Sequence, residues 1–497
     1  MKFLLKITCV IAVLSFLMFE LSSCKKDKLI TNSSARVQFS QDSVLFDTVF
    51  TTIGSSTKNI RVRNKNNKRI KISSIQLLGG SSSSFIINVD GGKGTSFEDV
   101  EIAANDSMYI FIQVNVNPNN ANSPLIINDA IRFTVNGNEQ TVYLEAWGQD
   151  AYYYRPNNAI KFSDGSYFAY SRISESDNAT IVMFNDKPHV IYGYLVVDST
   201  QKLIINAGTR IYLNNKAGLW VFRYGELKVH GQKGNEVIFT GARRDKEYAD
   251  EPGQWDRIWI NEGSVNNEIN YAIIKNGYVG VQAELFGNNF NEPRRLKMTN
   301  TKIQNMSLWG FYGLGYNVYA GNNVISNCQE HCVNIALGGK YTFLNSTFAN
   351  FWEKEKSRDK PAININNHTN SQVLPLDSAY FGNCIVDGLL VNEINLDLDY
   401  SDTNFPPKYI FSNCWLKTSN STGDPLHYVG DIRTNISTGK SNLSFNDYKN
   451  YNFQATSESR IRNFTLTSAQ TDALKFQFDL NNTPRNTSNV TIGAYEN

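Results

Sequence analysis

Charge is scarce in this chain. Asp, Glu, Lys and Arg make up 19% of its 497 residues, below the roughly 25% of an ordinary globular domain. Lys and Arg number 48 against 46 Asp and Glu, for a formal charge of +2. This balance excludes the basic stripe of a nucleic-acid-binding protein and the acidic tail of a disordered one. Histidine is rare too: His189, His230, His331, His368 and His427 are scattered, with no evident partner for any of them. No Ser–His–Asp signature, phosphate-cradling loop or redox motif is present. Helix formers are few, and a helical period is missing. Beyond the first 30 residues, no apolar run approaches the roughly 20 residues of a membrane-spanning helix.

The residue in excess is asparagine, 61 of them, with 25 Tyr, 29 Phe and 33 Gly. Such a composition predicts short strands joined by turns. At the start, Lys2 and Lys6 precede an apolar run from Ile7 to Phe19, too short to span a bilayer, followed by Leu21-Ser22-Ser23-Cys24. This order of charge, apolar run, small residues and Cys resembles the lipobox of bacterial lipoproteins. The resemblance implies a signal peptide over 1–23, a lipid on Cys24, a polar tether over 24–35, and a lipid-anchored protein of the outer membrane or cell surface.

Over 36–148, about seven strand patterns alternate with turn clusters, as in an antiparallel sandwich. Asn136-Gly137 predicts a hairpin, since both central residues of a type I′ turn need positive φ. Asn64 at a strand end, Phe85 before a turn, the turn Asn105-Asp106-Ser107 and Pro118 are arranged as in immunoglobulin-like domains of bacterial surface proteins, which this segment resembles. That resemblance implies a spacer and nothing catalytic.

Residues 149–178 read as an aromatic-rich junction, with Tyr152, Tyr153, Tyr154, Tyr167, Phe168 and Tyr170 packing a joint. Over 179–497, short strand units recur. A motif of Asn, a small or polar residue, an apolar residue and a polar turn appears at Asn300, Asn323, Asn345, Asn383 and Asn413, at the spacing of solenoid coils. A coil cannot bury its inner face alone, so coils stack about 4.8 Å apart. Asn at each bend tolerates left-handed φ, and its amide can bond the Asn of the next coil. Ala207-Gly208-Thr209-Arg210-Ile211, Gly225-Glu226-Leu227-Lys228-Val229-His230-Gly231, Val237-Ile238-Phe239-Thr240 and Gly253-Gln254-Trp255-Asp256-Arg257-Ile258-Trp259-Ile260 resemble the opening coils of right-handed parallel β-helix surface proteins with a pectin-lyase-like fold. Asp479, Arg485 and Ile492-Gly493-Ala494-Tyr495-Glu496 resemble their closing motif. The fold class implied is all-β: an immunoglobulin-like sandwich followed by a right-handed parallel β-helix.

Chemistry is less visible. The densest charge is the segment 243–251, where Arg243, Arg244 and Lys246 could meet anionic sugars and Tyr248 and Trp255 could stack on them; the plainer reading is a solvated loop over the coils. Asp256 and Arg257 read as residues fixing a coil turn. Asp397 and Asp399 with Asp402 form a loose Ca²⁺ pattern if a strand carries them on one face. Cys328, Cys332, Cys384 and Cys414 fit a stack of buried thiols, although an exported chain also permits disulfides, and Cys328, His331 and Cys332 lack a second ligand pair for a metal. Two functions follow: a non-enzymatic glycan- or protein-binding surface protein, or a polysaccharide lyase or glycoside hydrolase acting in a groove of the β-helix. Convergent acids and bases in a cleft would favour the second, a flat face of Asn, Thr and aromatics the first.

Overall fold

The computed structural model describes residues 28–496 except 51–53, 117–124, 287–288, 290, 355–356, 371, 435–442 and 457–458. Cys24, the proposed leader and Pro118 lie outside the described residues. The chain divides into two compact units, Met1–Asp150 and Ala151–Asn497.

The first unit is two five-stranded sheets. In one, Lys58–Arg63 and Phe85–Val89 flank Ser107–Val114, all antiparallel. In the other, Asn138–Gln149 pairs antiparallel with Leu125–Val135 and parallel with Ser43–Phe50. The period-2 alternation sends Ile60, Ile87 and Ile112 from one sheet and Ile72, Phe133 and Leu144 from the other into a single core. Asn136 and Gly137 turn the expected hairpin with φ of 48° and 80°. Asn64, fully buried, donates its amide to the carbonyls of Lys68 (2.8 Å) and Ala103 (2.9 Å), which closes the turn after its strand.

The second unit has three long sheets whose strands pair in parallel, mostly with the strand three places on, apart from the antiparallel opening pair Asn158–Lys161/Tyr167–Arg172, an arrangement that fits a β-helix. Sheet I has 11 strands, from Tyr152–Tyr154 to Arg433–Thr434. Sheet II has ten, from Asn158–Lys161 to Ile394–Asp397. Sheet III has ten, from Thr180–Met183 to Tyr428–Val429. Inward residues form continuous ladders. On sheet III, Ile205, Val229, Ile269, Met298, Ala320, Phe343, Phe381 and Phe411 stand in register and fully buried. The Phe343, Phe381 and Phe411 rings stack at 5.1 and 4.9 Å. Each such side chain contributes about 1.5–3 kcal/mol by leaving water, and none could do so in an isolated coil.

The asparagines stand where left-handed backbone is needed. Asn276, Asn300, Asn305, Asn322, Asn327, Asn345, Asn383 and Asn413 all have φ between 46° and 65°. Their amides stack: Asn300 donates to Asn270 (2.9 Å), Asn322 to Asn300 (3.1 Å), Asn305 to Asn276 (2.8 Å) and Asn383 to Asn345 (3.1 Å). One assignment shifts by a residue. The bend is Asn322, whereas Asn323 turns inward, where its Oδ1 accepts from the Thr301 N–H at 2.9 Å.

Two segments differ from the sequence reading. The aromatic junction is itself part of the sheets. Tyr152–Tyr154 pairs with His189–Ile191, and Tyr167–Arg172 with Tyr194–Val197, so its aromatic content is that of a paired strand. At the other end, the described residues of 443–496 add no further coil. The hairpin Phe445–Asp447/Asn452–Ala455 and helix Thr467–Leu474 lay Phe453, Phe464, Ala469 and Ile492 against Val324, Ile385 and Trp415 on the outside of sheet I.

The bend asparagines also clamp this cover. Asn322, Asn345 and Asn383 donate to the carbonyls of Phe478, Asp472 and Ala469 (2.7, 3.1 and 2.8 Å), and Asn413 donates to the Ser468 hydroxyl (2.9 Å). The closing motif completes the attachment. Buried Arg485 donates to Asn322 Oδ1 (2.8 Å) and the Gly493 carbonyl (2.9 Å), Gly493 N–H to the Asn383 carbonyl (2.8 Å), and Asp479 caps the N–H groups of Asn481 and Thr483.

Candidate functional site

The outside of sheet II carries the most concentrated side-chain chemistry. One column runs in register through Val196, Trp220, Trp259, Gln282, Tyr312, Asn334, Asn364 and Asn395. Near its start it is aromatic at Trp220 and Trp259, and neighbouring rings extend this cluster. Trp220 stacks on Trp259 at 4.6 Å, Phe168 meets Trp220 edge-on at 5.4 Å, and Phe286 meets Trp259 at 5.6 Å. Its second half is an amide ladder, Asn395 donating to Asn364 (2.8 Å) and Asn364 to Asn334 (2.9 Å).

Beside the aromatic cluster a trough opens because the adjoining column contains glycine. Tyr194 is opposite Gly218, and a Cβ on Gly218 would meet the Tyr194 ring at 2.6 Å. The ring therefore lies across Gly218, and its hydroxyl donates to Asp256 Oδ2. The other Asp256 oxygen accepts from Arg257 Nε and Nη2, both at 2.9 Å. Arg257 also donates to Gln282 Oε1. Gln282 donates to Glu284 Oε2 (2.6 Å), and the Trp259 indole donates to Glu284 Oε1 (2.7 Å). A continuous polar chain thus links Tyr194, Asp256, Arg257, Gln282, Glu284 and Trp259. Burial holds the Glu284 carboxyl above its ordinary value, against the pull of Gln282, Trp259 and Arg257. Burial likewise raises the Tyr194 phenol, with Asp256 adding to the effect, and pushes Tyr312 up to about 12.

An open cleft of 630 Å³ adjoins this chain, lined by Tyr167, Tyr194, Lys216, Asp256, Arg257 and Tyr278 among others. That is within the range of small-ligand sites. Tyr167 and Tyr278 are 65% and 42% exposed; Lys161 Nζ stands over one face of the Tyr167 ring at 5.7 Å, so a ligand would meet the Tyr278 ring and the other face of Tyr167. Every oxygen of Asp256 and Glu284 already accepts a hydrogen bond. These carboxylates hold a guanidinium, a phenol, an amide and an indole in place. The arrangement is suited to recognition by stacking and hydrogen bonding.

The residues singled out in the sequence are distributed differently. Trp255 lines the cleft wall but is only 1% exposed. Its indole donates to the Lys275 carbonyl at 2.9 Å within the coil core, so it fills a turn and offers no face to a sugar. Arg243 lies over the Tyr248 ring at 3.3 Å and Arg244 over Tyr212 at 5.1 Å, so the Tyr248 face is taken within the loop. Lys246 begins a short 3₁₀ turn through Tyr248. The loop backbone is clamped by ladder amides, Asn276 donating to the Ala249 carbonyl (2.8 Å) and Asn305 to that of Asp250 (2.7 Å). Asp256 and Arg257, read as turn residues, are the ones at the cleft.

Asp397, Asp399 and Asp402 do not converge. Their strand ends at Asp397, so alternation no longer places the later two on its face. Asp397 accepts from Asn366 (2.8 Å), Asp399 from the Ser401 N–H (2.7 Å) and Asp402 from the Asn404 N–H (3.0 Å). Among the described residues no three His, Cys, Asp or Glu side chains gather as metal ligands. Cys328, Cys332, Cys384 and Cys414 are free and buried, and burial pushes the Cys332 and Cys384 thiols well up. His331 is 7% exposed and bonds the Pro361 carbonyl at 2.6 Å.

No family model and no curated protein matches the chain. Among solved structures it is similar to the ASH/PapD-like domain of human CEP192 (PapD-like domain 7), at 11% identity over 26% of this chain and 94% of that one, TM-score 0.17. It is also similar to a family 123 glycoside hydrolase from Clostridium perfringens described in terms of glycolipid glycan hydrolysis, at 12% identity over 23% of this chain and only 26% of that one, TM-score 0.16.

Proposed function

We propose that this chain is a surface lipoprotein that binds saccharide in the cleft on sheet II without cleaving it. In this reading a lipid on Cys24 holds the protein to the outer membrane or cell surface, an immunoglobulin-like unit acts as spacer, and a right-handed, pectin-lyase-like β-helix presents the binding face. Support for the last two comes from the motif resemblances together with the two-sheet first unit and the three parallel sheets of the second. The observation that carries the binding reading is the cleft itself: two exposed tyrosines, Tyr167 and Tyr278, beside the Arg257–Asp256 pair. Aromatic faces stack on the apolar face of a pyranose, while fixed planar donors and acceptors bond its hydroxyls. Asp256 is the one carboxylate among the described residues that line the cleft, whereas glycoside hydrolysis uses a pair, which favours binding over hydrolysis.

A glycan array on the full chain identifies the ligand. The double variant Tyr167→Ala/Tyr278→Ala then loses binding by about tenfold or more, since each lost stacking contact is worth about 1 kcal/mol. Unchanged affinity in that variant contradicts the assignment of the cleft.

A further inference from the structure

A second cleft, of 480 Å³, opens on the outside of sheet III, away from the site above. Its floor is a grid of outward side chains on three successive strands. Leu296–Thr299 is preceded by Arg295 and carries Lys297; Asn317–Gly321 carries Asn317 and Tyr319; Gly339–Leu344 carries Lys340 and Thr342. Lys297 is in register with Tyr319 and Thr342, and Asn317 with Lys340. Cations therefore stand on the first and third strands, about 10 Å apart at two strand spacings, with the neutral Asn317 amide and Tyr319 ring between them.

Arg295, Lys297 and Lys340 are exposed. Lys297 is matched by Glu268 at 2.9 Å, but among the described residues Arg295 and Lys340 have no ion-pair partner. In a chain this short of charge, two unmatched cations facing one cleft concentrate a positive field there. The floor is held rigid. Phe476 of the C-terminal cover stacks on Tyr319 at 6.2 Å and 16°, and it sits where a Cβ on Gly321 would meet it at 2.1 Å.

We propose that this cleft is a binding site for a sulfate or phosphate ester, with the ester group over Asn317 and Tyr319 and bonded by Arg295, Lys297 and Lys340. The guanidinium fork and two ammonium groups offer more N–H donors than the two oxygens of a carboxylate accept; they suit the three terminal oxygens of a sulfate or phosphate ester. The ester can belong to a sugar or to a lipid headgroup. The proposal is independent of the saccharide cleft on sheet II.

The test measures binding of the full chain to dextran sulfate, unsulfated dextran, polygalacturonate and phosphatidic acid vesicles at low and high salt. Wild type binds dextran sulfate, vesicles or both in preference to dextran and polygalacturonate, more weakly as salt rises. Arg295→Gln/Lys340→Gln weakens that binding about tenfold at low salt and, being confined to exposed side chains, keeps the wild-type melting temperature. The loss in Arg295→Gln/Lys340→Gln is of the same size in a Tyr167→Ala/Tyr278→Ala background, which separates this site from the sheet II cleft. Dextran sulfate alone identifies a sugar ester; vesicles alone identify a headgroup. Binding to neither ester, equal binding of polygalacturonate, or undiminished binding by the Arg295/Lys340 variant overturns the proposal.

Discussion

At the scale of single residues, asparagine does three things at once. Asn383 adopts φ of 54°, donates to Asn345 in the neighbouring coil and donates to Ala469 in the C-terminal cover. Alanine keeps none of these, since its Cβ disfavours left-handed backbone and it has no amide. Asn383→Ala is expected to destabilise the second unit by about 2–4 kcal/mol, read as a shift in urea midpoint, with Asn383→Gly losing less because the backbone is relieved. Glu284 makes a different prediction. Its folded-state carboxyl is raised above the ordinary 4.5, mainly by burial, so the folded state holds the proton more tightly than the unfolded chain does. Its contribution to stability is full below about pH 4.5 and is lost as pH rises through the raised value. Glu284→Gln removes that dependence. Urea midpoints of wild type and variant measured from pH 4 upward should diverge in favour of the variant as pH rises; parallel curves contradict the assignment. The legibility of these residues follows from locality. An Asn at a bend is visible from its neighbours in the chain, whereas the burial of Trp255 and the exposure of Tyr278 are decided by other coils.

At the scale of elements, the repeat was readable because every coil must bury the same inner face, and the apolar residue after each Asn reports that face. The outer columns were not readable. Trp220, Trp259, Gln282 and Tyr312 meet one per strand, separated in sequence by intervals that vary with each loop, so the aromatic stripe exists only once the register is known. The Asp397–Asp402 pattern failed for a related reason: alternation holds only while the strand continues, and it stops at Asp397. The closing motif was recognisable by resemblance, but its task was not. Arg485 ties the cover to the ladder through Asn322, and burial lowers its guanidinium to about 10, opposed by Glu496 and Asp479. Arg485→Ala leaves Asn322 Oδ1 and the Gly493 carbonyl buried without that donor. It should cost about 3–5 kcal/mol and loosen the cover before the coils, seen as faster amide exchange at Phe464 and Ile492 than at Phe343 and Phe381.

At the scale of the whole molecule, two compact units each have their own core, and the second has three outer faces with three characters. Sheet I is covered by the C-terminal segment, sheet II bears the aromatic and amide column, and sheet III bears the cationic grid. Near-neutral net charge is compatible with both clefts because the unmatched cations are few and local. If the Cys24 reading holds, Cys24→Ala moves the protein from the membrane fraction to the soluble one and removes the mass of the lipid; retention in the membrane with unchanged mass contradicts it. In the proposed function, the sheet II cleft binds saccharide and leaves it intact. The most direct measurement is prolonged incubation of the full chain with the glycan selected on the array, followed by mass analysis of the recovered glycan together with reducing-end and unsaturated-uronate assays. Glycan should be recovered at its original mass, with binding lost in Tyr167→Ala/Tyr278→Ala. New reducing ends or uronate absorbance that grow with time and disappear in Asp256→Asn or Glu284→Gln would contradict it.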